Sequence, residues 1–148
     1  MPPQSHRELT VWRKAVDLAC EVYRLTRQMP KEEIYRLSAQ IIRCSSSIAA
    51  NIAEGNARGT RRDYAHFISI ARGSAAELET FLIIIRRLRL APSDQVDGLV
   101  NEAEEISRML NALRSRLKDS AIRPNPSSLI PHPSGNRPRG LQIGRAVD

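Results

Sequence analysis

Residues 64–88 read YAHFISIARGSAAELETFLIIIRRL, and their spacing sets the architecture of the chain. Tyr64, Phe67, Ala71, Ser74, Leu78, Phe81, Ile85 and Leu88 follow a strict three-four alternation, the pattern of one face of an α-helix. Ile68, Ala75 and Leu82 widen that stripe on one side, while Ile70 and Ile84 lie on the other. The apolar arc is broader than the roughly 100° that a single core requires. A second packing partner is expected for it, most simply another copy of the chain. Thr60 and Asp63 form the N-terminal capping pair of this third helix.

On either side, three further segments carry the same period. The first runs from about Thr10 to Gln28, with Val11, Trp12, Ala15, Val16, Ala19, Val22, Tyr23 and Thr26 at three- and four-residue spacing. Thr10 is the expected cap, with Ser5 and Glu8 as the alternative pair. Pro30 closes the connection, and Lys31, Glu32 and Glu33 open a second helix that breaks near Ser38 and continues to about Asn56. Gly55 and Gly59 bracket the next turn. Ala91-Pro92-Ser93 interrupts the chain again, with Ser93 placed to cap a fourth helix. There Val96, Leu99, Ala103, Ile106, Leu110, Leu113 and Leu117 repeat the alternation. Short connections between consecutive amphipathic helices make them antiparallel neighbours. The expected fold is all-α: an antiparallel up-down-up-down four-helix bundle over residues 1–118.

Residues 119–148 differ in kind. Five prolines, three glycines and four serines in this stretch oppose a helix and leave little to bury. Arg123, Arg137, Arg139 and Arg145 give it a positive balance, so a disordered basic tail is expected. The 148 residues fit one domain plus this tail. Lys and Arg exceed Asp and Glu by 23 to 16, for a formal charge of +7. That bias favours anionic partners, nucleic acid first. Cys20 and Cys44 both fall on apolar helical faces and read as buried, reduced thiols. The N-terminus has no signal-peptide pattern, and the apolar run Phe81–Ile85 stops at Arg86 and Arg87. A cytoplasmic protein without a membrane partner is expected.

Small and polar residues recur inside the second helix and midway along the third. Gln40, Arg43, Ser47, Asn51 and Glu54 share one face of helix two, and Gly73, Ser74 and Glu77 lie on helix three. Gln40, Arg43, Asn51, Glu54 and Glu77 are expected to form a partly buried polar network that fixes helix register or subunit orientation. Gly73 costs about 1 kcal/mol relative to alanine in a helix, so a close approach of helices two and three is expected there.

Several of these residues also resemble a known family. The match begins at Leu9 with Val11-Trp12-Arg13-Lys14-Ala15 and passes through Pro30, Glu33, Tyr35, Leu37, Gln40, Arg43 and Ser46. It continues with Asn51-Ile52-Ala53-Glu54-Gly55, then Tyr64, Phe67, Ala71, Gly73-Ser74, Glu77-Leu78 and Thr80. Together they resemble the bacterial four-helix-bundle proteins encoded in intervening sequences of large-subunit ribosomal RNA genes. That family also includes the accessory variability protein of diversity-generating retroelements. Cys44 and Ala49 stand where the family pattern has alanine and proline. The resemblance covers residues 8–90 and implies a bundle that assembles into a homo-oligomeric ring, a pentamer. For the retroelement branch it implies a reverse transcriptase and RNA or DNA as partners.

Up-down connectivity gathers positive charge at one end of the bundle. Arg7, Arg13, Lys14, Arg58, Arg61, Arg62, Arg114, Arg116 and Lys118 collect there, offset only in part by Glu8, Glu54, Asp63 and Asp119. Of these, Arg13, Lys14, Arg58, Arg61, Arg62, Arg114, Arg116 and Lys118 are the candidate nucleic-acid-binding residues. Arg61 and Arg62 stand out because a helix N-terminus disfavours cations. A second basic group, Arg24, Arg27, Lys31, Arg36, Arg86, Arg87 and Arg89, gathers at the opposite end. The chain has only six Phe, Trp and Tyr residues, mostly on core faces, which argues against recognition by aromatic stacking.

No catalytic set is legible. His6, His66 and His132 are far apart, and there is no Glu-x-x-His pair, glycine-rich phosphate loop or Cys-x-x-Cys. His66 reads as a surface residue, and a hydrolase built on Glu54 or Glu77 lacks companions. No cofactor or metal is expected. Two functions remain: a non-enzymatic accessory factor that holds nucleic acid on a basic ring surface, or a scaffold that binds proteins alone.

Overall fold

A computed structural model of the chain describes residues 5–122. It contains α1 (Thr10–Thr26), α2 (Ala39–Ala57), α3 (Arg61–Arg87) and α4 (Ser93–Ile122). Consecutive helices pack on each other and α1 closes against α4, giving the antiparallel up-down-up-down bundle. α4 runs to Ile122, four residues past the boundary drawn from the sequence, while the rest of the Pro/Ser/Gly-rich segment lies outside the described residues.

The core is one apolar column fed by one stripe from each helix. α1 contributes Val11, Ala15, Leu18, Val22 and Leu25, and α2 contributes Ile41, Cys44, Ile48 and Ile52. α3 adds Ile68, Ala71, Ala75, Leu78, Leu82 and Ile85, and α4 adds Val96, Leu99, Ala103, Ile106 and Leu110. Each fully buried leucine or isoleucine contributes about 1.5–3 kcal/mol of transfer free energy, which makes this column the dominant favourable term.

Two stripes sit at a different angle from that read in the sequence. On α3 the centre of the core is Ile68-Ala75-Leu82, whereas Phe67, Ser74 and Phe81 are half-buried on the α2 side and Leu88 is exposed. On α1, Leu18 and Leu25 occupy the core, and Tyr23 is exposed. Cys20 also faces solvent, so only Cys44 is the buried thiol expected of both.

Helix ends follow local hydrogen bonding. The Thr60 hydroxyl accepts the Asp63 N–H at 3.2 Å, as the capping pair requires. Thr10 does not cap α1: Leu9 holds that position, and the Ser5 hydroxyl instead caps a short 3-10 turn, His6–Glu8, by accepting the Arg7 N–H. Ser93 is likewise inside α4, whose first N–H bond runs from Val96 to the Pro92 carbonyl. Before α2 the chain forms a 3-10 turn, Lys31–Glu33, and a wide turn, Ile34–Ser38, that breaks at Arg36 (φ −109°, ψ −111°). The break expected near Ser38 thus falls two residues earlier.

The tight α2–α3 approach occurs at Gly55 and not at Gly73. A Cβ on Gly55 would sit 2.9 Å from Phe67 Cβ, 2.9 Å from Tyr64 Cδ2 and 3.2 Å from the Tyr64 carbonyl oxygen. Gly73 is exposed, and a Cβ there would meet nothing within 4 Å among the described residues. Its helix-propensity cost is therefore not offset by close packing inside the bundle.

Candidate nucleic-acid interface

The start of α3 and the last turns of α4 lie side by side because the bundle is antiparallel. Between them runs a groove of about 480 Å³ lined by Arg61, Arg62, Ala65, His66, Ser69, Arg114, Leu117 and Lys118. Among the described residues, four cations and no carboxylate line it. Arg61, Arg62 and Lys118 make no ion pair among the described residues. Two of them occupy the first turn of α3, where the helix dipole adds to their mutual repulsion. Ala65, almost fully buried, and half-buried Leu117 give this groove an apolar floor.

Arg114 is held in place by the groove itself. Its Nε donates to the Ser69 Oγ at 2.8 Å, and that hydroxyl donates to the Ala65 carbonyl at 3.0 Å. The bond fixes one edge of the guanidinium and leaves its remaining N–H groups to serve a ligand. Sequence inspection assigned Ser69 no role, because its bond to Arg114 joins positions 45 residues apart. His66 is exposed, as expected of a surface histidine, but it also lines this groove, and its ring meets Phe67 edge-on at 5.5 Å between centroids.

A second groove, at the tip of the bundle, is lined by Asn56, Gly59, Thr60, Arg61, Tyr64 and Arg116, among others. Burial pushes the Tyr64 hydroxyl above its usual value, against Asn56 and Arg116, which both pull it down. Arg61 borders both grooves, so Arg61, Arg62, Arg114, Arg116 and Lys118 form one continuous cationic surface.

The other basic candidates are otherwise engaged. Arg58, which caps the end of α2, bridges Glu54 at 2.8 Å and lies 4.9 Å over the Phe67 ring. Arg13 donates from Nε to the Arg7 carbonyl at 2.9 Å. Lys14 is not in the cationic surface: it pairs with Glu105 at 3.1 Å and lines a cleft with Asp17 and Glu102. Burial first, then Glu21, Asp17 and Glu105, raises the Glu102 carboxyl, with Lys14 opposing. The α1/α4 face is consequently acidic. At the opposite end, Arg24 pairs with Glu21, Arg36 with Glu33 at 3.9 Å, and Arg86 with Asp97 at 2.6 Å.

The five-membered polar network divides into three. Arg43 donates to Gln40 at 2.9 Å and lies 3.8 Å from Glu77, which also accepts the Cys44 thiol at 3.0 Å. Asn51 donates to the Ser47 carbonyl and hydroxyl, and Ser47 shares a 2.9 Å hydrogen bond with Ser74 across to α3. Glu54 belongs to neither group, since it turns to Arg58. The Gln40–Arg43–Glu77 set lies on the surface and not inside. Burial pushes the Cys44 thiol up to about 12, helped by its bond to Glu77 and that residue's charge, so it is a packing group and not a nucleophile.

Among the described residues, no cluster of three or more His, Cys, Asp or Glu is arranged to hold a metal ion, and no helix is long and apolar enough to cross a membrane. A family model described as 23S rRNA-intervening sequence protein matches residues 7–112. The fold is similar to the crystal structure of a protein of unknown function from the S23 ribosomal protein family of Bacteroides thetaiotaomicron. That similarity has a TM-score of 0.65 and 26% identity over 71% of this chain and 98% of the other. Comparison with curated proteins gives no match.

Proposed function

Because the chain belongs to the 23S rRNA-intervening sequence protein family, we propose that it is a non-enzymatic accessory factor that holds nucleic acid on the cationic surface between α3 and α4. The observation that carries this reading is the groove lined by Arg61, Arg62, Arg114 and Lys118 with no carboxylate among its lining residues. Clustered cations at a helix start are unfavourable in isolation, and phosphates relieve that repulsion. Sequence-specific recognition is not part of the proposal, since these side chains suit phosphates.

Self-assembly is the second element. Ile70, Ile83 and Ile84 on α3 are 39%, 38% and 37% exposed, and Gly73 leaves open space between them. Such a surface accepts a neighbouring helix at short range. A homo-oligomeric ring, the pentamer implied by the family resemblance, would repeat the cationic grooves around an axis and strengthen their field. A reverse transcriptase is a proposed partner only for the retroelement branch, and the cytoplasm is the proposed compartment.

The test is a salt titration of the purified full-length chain with labelled RNA. Four phosphate contacts to a single strand predict a log–log slope of about −3. Arg61→Glu with Arg62→Glu should abolish binding while leaving assembly intact. Affinity indifferent to salt between about 50 and 300 mM would refute phosphate neutralisation. A protein-only scaffold would bind no RNA at any salt. A monomer at micromolar concentration in light scattering would refute the assembly.

A further inference from the structure

Cations alone would serve a duplex, whose phosphates approach from outside and whose bases stay stacked within. The α3–α4 groove offers more than charge. It is concave, and its 480 Å³ lies within the roughly 300–1,000 Å³ of pockets that hold small organic groups. Its floor is apolar at Ala65 and Leu117. His66 also lines it, an aromatic residue that counting Phe, Tyr and Trp omits. Arg114, anchored through Ser69, presents a flat guanidinium that stacks on bases as well as pairing with phosphate. A flat, partly apolar group bearing negative charges on either side fits this lining.

From this we infer that the groove between α3 and α4 seats an unpaired base of a single-stranded polynucleotide, whose flanking phosphates engage Arg61, Arg62 and Lys118. The inference rests on the nucleic-acid reading above and narrows it to strands with unpaired bases. A duplex reaches only the cationic rim. The base lies over Leu117 against His66, and Arg114 holds its other face or the adjoining phosphate. Recognition is by shape and stacking, hence tolerant of sequence.

The experiment is fluorescence anisotropy of the full-length chain with a labelled twelve-nucleotide single strand (RNA and DNA) and with the matching blunt duplexes, at one fixed salt concentration and pH 7.5. Stacking of one base is worth about 1–3 kcal/mol, so the single strand should bind at least about fivefold tighter than the duplex. His66→Ala removes the aromatic residue and, separately, Leu117→Gln makes the floor polar without adding charge. Each should lower single-strand affinity toward the duplex value and leave duplex affinity unchanged. His66 is exposed, so its removal tests the groove without risk to the core. Equal binding of strand and duplex, or equal losses on both in the variants, overturns the base-seating inference and leaves the phosphate reading standing. Displacement by polyglutamate of matched charge as readily as by unlabelled strand also overturns it, because the groove would then read charge alone. Absence of binding to every nucleic acid overturns both.

Discussion

The same substitution at two helical glycines should move stability in opposite directions. At Gly55, an added methyl falls 2.9 Å from Phe67 Cβ and Tyr64 Cδ2, and 3.2 Å from the Tyr64 carbonyl oxygen. Phe67 Cβ and the Tyr64 carbonyl are fixed to the α3 backbone, so the clash is relieved only by separating α2 from α3. Overpacking of this kind costs about 1–3 kcal/mol, against a helix-propensity gain of about 1 kcal/mol. Gly55→Ala should therefore destabilise the bundle by up to roughly 2 kcal/mol. At Gly73 the methyl meets nothing within 4 Å among the described residues, and only the propensity gain of about 1 kcal/mol remains. For a domain of this size 1 kcal/mol corresponds to roughly 3–6 °C in Tm. Thermal denaturation followed by circular dichroism, at concentrations low enough for the monomer to dominate, should show Gly73→Ala melting higher than the parent and Gly55→Ala lower. A Gly55→Ala protein that gains as much stability as Gly73→Ala would refute the close α2–α3 approach. A Gly73→Ala protein that melts lower in the monomer would refute the open face of α3.

Three further outcomes follow from single residues. Arg89 holds a left-handed φ of 54° just after α3, where the Leu90 N–H reaches back to the Ile85 carbonyl at 3.1 Å. Arg89→Gly should thus raise the unfolding free energy by about 1 kcal/mol and move the urea midpoint upward, and an unchanged midpoint would argue against the strain. Glu102 binds its proton more tightly in the folded chain than its ordinary value of 4.5 allows, chiefly through burial. Its contribution is therefore full below that value and lost as pH rises through the raised one, and Glu102→Gln should flatten this part of the pH–stability curve while stabilising the protein at neutral pH. A variant with an unaltered curve would contradict the raised carboxyl. Finally, a thiol reagent at pH 8 should label one cysteine quickly in the native protein, the exposed Cys20, and reach Cys44 only in denaturant. Rapid labelling of both would contradict the buried Cys44–Glu77 contact.

Local patterning carried the helices and much of the topology. Three-four spacing, the Thr60–Asp63 cap and the breakers at Pro30 and Pro92 act over a few residues, and short connections leave little choice but antiparallel packing. The phase of a broad stripe is another matter. On α3, residues 64–88 present apolar side chains over so wide an arc that periodicity alone does not say whether Ile68-Ala75-Leu82 or Phe67-Ser74-Phe81 faces the core. Only the placement of α2 and α4 on either side decides it. Charge partners depend on the fold even more strongly. Lys14 shares a helix end with the basic candidates but meets Glu105, which is distant in the chain, because α1 closes against α4. Gly55 reads in the sequence as a turn glycine and Gly73 as the point of close approach, yet a Cβ on Gly55 would meet Tyr64 and Phe67, whereas one on Gly73 would meet nothing within 4 Å among the described residues. The amino-acid order thus determined which segments are helical and that they form a bundle, since those are matters of local spacing and total apolar surface. The tertiary structure alone determined which cations share a groove, because that depends on how neighbouring helices are rotated and staggered.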